Sequence, residues 1–153
     1  MAAYQLANLD AKLVYLALQY HLARPGSELD HETMQTRVHG LAEVAEALEP
    51  QLDRAVATIE LTEFQRERLL TAIAGTINEL KTVPMLEGHA SVPALDEVLR
   101  RLFPQIAEDP NEATQLAAHL LPLRRRLAEA AAAPERAAAA KSERPWWRFW
   151  ERD

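Results

Sequence analysis

The sequence predicts an all-α fold, a single bundle of roughly five to six helices, on three observations. Apolar residues recur at helical spacings of three and four through most of residues 1–128. Prolines and glycines fall between these stripes, where helices start and stop. β-branched residues are scattered and do not alternate with polar ones over any run long enough for a strand. The expected organisation is a helical domain over residues 1–128, an alanine-rich tether over 129–144 and a Trp/Arg-rich docking motif over 145–153.

The first helix is expected through Leu6, Leu9, Leu13, Leu16 and Tyr20, a heptad-like seam. Val14, Leu18 and Leu22 widen it, which makes this helix central, and the seam also makes a homo-oligomer an expectation. Arg24-Pro25-Gly26 ends the helix, and Ser27 offers a capping oxygen to the next. A second helix starts between Leu29 and Thr33. Leu41, Val44, Leu48, Leu52, Val56 and Ile59 fall within about 80° of one another on a helical wheel. The expectation is therefore that the helix runs on past Pro50, kinked there or restarted. Thr62-Glu63 caps a third helix that buries Phe64, Leu69, Ile73, Ile77 and Leu80, with Gly75 permitting a close crossing. The pattern breaks from Val83 to Val92. Ser91 and Pro93 then open a helix with Leu95, Val98, Leu99, Leu102, Phe103 and Ile106 on one face. Asp109-Pro110 starts the last, through Leu116, Leu120, Leu123 and Leu127.

Composition limits the function classes. The chain has 153 residues, 48% hydrophobic, enough for a core without staples. With no cysteine there is no disulfide, thiolate metal site or cysteine nucleophile. A net charge of −6 argues against a nucleic-acid partner. Neither a basic leader nor an uncharged apolar run approaching the ~18–20 residues of a membrane span is present. A cytoplasmic location is expected.

Candidate chemistry is sparse. Glu43 and Glu46, in the run Leu41-Ala-Glu-Val-Ala-Glu-Ala-Leu48, resemble the acidic helix of the MazG-type nucleotide pyrophosphohydrolases. The resemblance implies Mg²⁺ held by this E-x-x-E and by a later E-x-x-D on a neighbouring helix. No E-x-x-D follows at a suitable distance, and His39, Glu43, Glu46 and Asp53 lie opposite the core stripe. A solvated face is preferred, and a small Mg-dependent enzyme using helix 39–53 is kept as an alternative. The histidines His21, His31, His39, His89 and His119 form no H-x-x-x-H pair, and Glu28-x-x-His31 occurs once where di-iron bundles need it twice. Arg24 and His31 do not share one continuous helix, as a ribonuclease-like pair would require. Neither a nucleophile elbow nor a glycine-rich phosphate loop is present. No catalytic residue, metal or cofactor is assigned. Arg124-Arg125-Arg126 suit a helix C-terminus.

Two surfaces remain. In the break at Val83 to Val92, Met85, Leu86 and His89 form either a lid on the bundle or a binding loop. At the C-terminus, all three tryptophans fall in Trp146-Trp147-Arg148-Phe149-Trp150. Tryptophan and arginine dominate interface hot spots, so these residues are expected to bind a protein partner. A membrane-surface anchor is a further alternative. The basic Lys141, Arg144, Arg148 and Arg152 are balanced by Glu143, Glu151, Asp153 and the terminal carboxylate, which leaves no net pull toward anionic lipid. The expected function is that of a non-enzymatic helical interaction protein.

Overall fold

The computed structural model describes residues 1–23 and 31–129, with the helical backbone alone for 31–39. The elements are β1 (Ala2–Ala7), α1 (Asn8–Ala23), α2 (His31–Leu48), β2 (Val56–Leu61), α3 (Glu63–Thr82), α4 (Pro93–Leu102), α5 (Gln105–Glu108) and α6 (112–129). The chain is mostly helical with a small two-stranded sheet. The all-α expectation broadly fits, and the sheet is the one departure from it among the described residues.

The strands pair antiparallel, from Ala2 opposite Leu61 to Ala7 opposite Val56. Tyr4, Leu6, Ala57, Ile59 and Leu61 face the core, while Ala3, Gln5, Ala7, Val56, Thr58 and Glu60 face out. This is the two-residue period of a half-buried ribbon. The apolar stripe through Pro50 is therefore not one helix. α2 ends at Leu48, and Pro50 lies in the first positions of a 3₁₀ turn over Glu49–Gln51. The chain then turns into β2, leaving Val56 54% exposed. Gln51 ties the corner: its side-chain amide donates to the Ala47 and Thr58 carbonyls at 3.0 and 2.9 Å and accepts from the Thr58 N–H at 2.9 Å.

The first helix is corrected at its start. Leu6 belongs to β1, and Leu9 is exposed at the beginning of α1. Asn8 fastens the junction by donating to the carbonyls of Leu52 and Arg54 at 2.8 and 2.9 Å. From Leu13 to Leu18 every residue of α1 is buried, and the helix packs against α2, α3 and α4. Its apolar seam is consumed by the core rather than offered to a second copy. Burial on this scale contributes ~1.5–3 kcal/mol for each leucine.

α3 opens on a reciprocal capping box, with the Thr62 hydroxyl accepting from the Gln65 N–H and the Gln65 side chain accepting from the Thr62 N–H. The Gln65 amide also donates to the Gly40 carbonyl at 2.8 Å, joining α3 to α2. Leu69, Ile73, Ile77 and Leu80 are buried as their spacing requires. Phe64 is not. It lies on the outer side of the first turn, half-exposed, with the Arg68 guanidinium 4.5 Å from its ring centre. Gly75 meets the Tyr20 ring so closely that an added Cβ would stand 2.5 Å from it.

The face expected of one helix after Pro93 is divided at Pro104. α4 carries the buried Leu95 and Leu99, while Phe103 and Ile106 reach the same core from the bend and from α5. Ser91 does not cap α4: its hydroxyl and N–H go to Glu79. α6 buries Leu116, Leu120, Leu123 and Leu127 and continues through Pro122.

Candidate functional site

α3 stops at Thr82, and Pro84 helps to start a 3₁₀ turn over Val83–Leu86. Val83 is buried, but Met85 and Leu86 point outward, 76% and 43% exposed. Glu87 then takes the left-handed conformation, at φ 56°, and Gly88 follows at φ 93°. A left-handed non-glycine residue is sparsely populated and persists where its surroundings impose it. Here they do. The Gly88 N–H donates to the Val83 carbonyl at 2.9 Å, and the His89 N–H to the Leu86 carbonyl at 3.2 Å. A Cβ on Gly88 would sit 3.3 Å from the Ile106 carbonyl, so the turn lies directly on α5.

Carboxylates from the flanking helices hold the rest of the segment. Glu79 of α3 accepts the Ser91 N–H at 2.6 Å. Asp96 of α4 accepts the Ala90 N–H at 2.9 Å through one oxygen. Its other oxygen meets Arg100 Nε at 3.2 Å and His89 Nδ1 at 3.3 Å. His89 Nδ1 also lies 2.8 Å from the Arg100 guanidinium. That nitrogen donates to Asp96 or accepts from Arg100, not both, so the ring tautomer selects the partner. Burial pushes the Asp96 carboxyl up, but the Ala90, His89 and Arg100 contacts outweigh it and hold the group below its usual value of 3.8. A carboxylate depressed on folding stabilises the fold above its unfolded pKa. The gain disappears as pH falls through the lower folded value. The Ala90 amide is therefore expected to lose hydrogen-exchange protection as pH falls through that lowered value, below 3.8, and, at neutral pH, in Asp96→Ala. Unchanged protection in both would show that Asp96 does not pin the turn.

This arrangement has one chemical consequence. The N–H groups from Glu87 to Ser91 are satisfied within the fold, while a methionine and a leucine are held outward on a fixed backbone. Met85, Leu86 and His89 thus share one turn, with the imidazole at its polar flank. Asp96, Arg100 and Glu79, which set its shape, carried no sequence motif. The only hint was a His and an Asp flanking a helix start.

A second cluster was also not foreseen. Asp10, in the first turn of α1, is 5% exposed. Its oxygens meet His119 Nε2 and the Arg126 guanidinium, each at 3.0 Å, both from α6. Arg124 donates from Nε to the Leu70 carbonyl at 2.9 Å. Two of the three consecutive arginines thus serve tertiary contacts, beyond any interaction with the helix end. The cluster clamps α6 to α1.

The acidic helix face is solvated: Glu43, Glu46, Glu49 and Asp53 are all exposed. Glu43 borders an open groove of about 620 Å³ between α2 and the outer face of the sheet, shared with Arg54, Thr58 and Glu60. Among the described residues, no group of three or more His, Asp or Glu side chains is placed to hold a metal, and no helix is long and apolar enough to cross a membrane. Trp146, Trp147, Arg148, Phe149 and Trp150, with the tether before them, lie outside the described residues, as do Arg24 and the side chains of His31 and His39. No protein-family model, curated protein or solved structure matches the chain.

Proposed function

We propose that the protein is a non-enzymatic helical interaction protein. In this reading it docks a protein partner through the Met85–Leu86 turn, with Trp146, Trp147, Arg148, Phe149 and Trp150 as a second, tethered contact. The supporting observation is the turn itself, in which backbone strain and inward hydrogen bonding hold two adjacent apolar side chains in water. Methionine suits such a surface because its unbranched thioether adapts to a partner's contour. The aromatic residues add the composition of interface hot spots.

The test compares three proteins in affinity capture with quantitative mass spectrometry: the full chain, Met85→Ser/Leu86→Ser, and a chain ending at Ala133. The partner recovered by the full chain should be depleted by the double substitution and by the truncation, with melting temperatures within a few degrees of one another. Binding of the purified partner is then measured by calorimetry. Equal recovery by all three would exclude both surfaces. The opposing reading, hydrolysis on the acidic helix, would show as Mg²⁺-dependent nucleotide turnover abolished by Glu43→Gln.

A further inference from the structure

A two-stranded sheet has two edges, and this chain treats them differently. Thr58 turns its N–H and C=O away from β1, and both are taken by the side chain of Gln51. The edge of β2 is thereby plugged at its centre, Thr58, by its own corner. The same bonds establish the register of backbone polarity. Because Thr58 points outward, Gln5 opposite it belongs to a non-hydrogen-bonded pair, as does Ala3 opposite Glu60. The N–H and C=O of Ala3 and Gln5 therefore project from the free edge of β1. Among the described residues no hydrogen bond reaches them.

Proteins ordinarily guard such an edge with lysine, proline, a bulge or a covering element. β1 carries no guard of its own residues: from Met1 to Leu9 there is no charged side chain, proline or glycine. The outward residues Ala3, Gln5 and Ala7 are exposed and small apart from the central amide.

We infer that the free edge of β1 pairs with β1 of a second copy of this chain, antiparallel and centred on Gln5. The sequence is self-complementary about that residue. Gln5 faces Gln5 of the second copy, where one amide donates to the other's oxygen, and Ala3 faces the second copy's Ala7. Like charges do not meet along the strand, although the chain as a whole carries −6. The same register brings Met1 of each copy toward the start of the other's α1, where Leu9 is exposed. Both are among the exposed large hydrophobic residues, at 83% and 39%. A symmetric two-fold contact of this kind closes on itself and ends at a dimer, with a continuous four-stranded sheet. It does not depend on the Met85 turn or on the partner proposed above.

Sedimentation velocity over a concentration series tests the pairing. The full chain should sediment as a dimer whose fraction rises with concentration. Gln5→Glu and Gln5→Lys each place like charges face to face across the two-fold axis and should sediment as monomers. An equimolar mixture of the two should recover the dimer. Gln5→Pro removes the outward N–H without touching the β1–β2 ladder and should also be monomeric. In the unaltered chain, exchange of the Ala3 and Gln5 amides should slow as concentration rises. A full chain that stays monomeric, a dimer indifferent to all three substitutions, or charged variants whose mixture remains monomeric would each overturn the proposal. An extended segment of another protein bound at this edge would give the first of these results.

Discussion

Replacing His119 and Arg126 together by alanine is expected to destabilise the protein by about 3–5 kcal/mol, more than replacing Asp10 itself. Asp10 is the buried member of the cluster, with its side chain 7% exposed, whereas those of His119 and Arg126 are 42% and 60% exposed. Removing both partners leaves the Asp10 carboxylate without its hydrogen-bond partners or a counter-charge. Its position in the first turn of α1 offsets only ~0.3–1 kcal/mol of that through the helix N-terminus. Asp10→Ala instead removes the buried charge and returns two solvent-accessible side chains to water. The loss is then that of charge-assisted hydrogen bonds, about 1.5–3 kcal/mol. Urea unfolding of the three variants decides the order. A larger loss for Asp10→Ala would mean that packing at that position, rather than desolvation, sets the energetics. Either loss is a large share of the ~5–15 kcal/mol a domain has in total.

Gly75→Ala is the second large effect, and its sign depends on Tyr20. In an isolated helix the substitution is favourable by about 1 kcal/mol, because glycine loses more backbone freedom on folding. Here the new methyl would meet the Tyr20 ring at 2.5 Å. The ring lies in the crossing of α1 on α3, and moving it forces off-rotamer geometry or separates the helices, at a typical cost of 1–3 kcal/mol. The net expectation is destabilisation by up to about 2 kcal/mol, the overpacking cost less the propensity gain. In a Tyr20→Ala background the clash is gone, and the same substitution should stabilise. Thermal melts of the two single variants and the double variant measure this reversal. Stabilisation by Gly75→Ala in the presence of Tyr20 would show that the crossing relaxes without cost.

Some of this was legible locally. The core residues of α3, the Thr62 cap, the close approach at Gly75, the centrality of α1 and the break at Val83–Val92 follow from period, punctuation and residue size. Each is a property of a short contiguous segment, and the chain reports such properties directly. The strand Val56–Leu61 was not legible in the same way. Leu52, Val56 and Ile59 fit a helical stripe, while Ala57, Ile59 and Leu61 fit an alternating one, and a six-residue window satisfies both. β1 was hidden similarly, because Leu6 and Leu9 continue the helical spacing of Leu13 and Leu16.

What the sequence determined by itself is a mostly helical chain with a defined set of inward-facing leucines, because hydrophobic periodicity is decided within each turn of backbone. What only the tertiary structure decided are the partnerships between distant segments. Ala2–Ala7 becomes a strand because Val56–Leu61 is there to pair with it. Asp10 is tolerated in the core because His119 and Arg126 arrive from the far end of the chain. Glu79 and Asp96, unremarkable acidic residues on two helix faces, shape the Met85 turn because the fold brings those helices to either side of it. The physical reason is the same in each case. A hydrogen bond or ion pair needs atoms within about 3 Å, and the residues that satisfy it are chosen by the path of the whole chain.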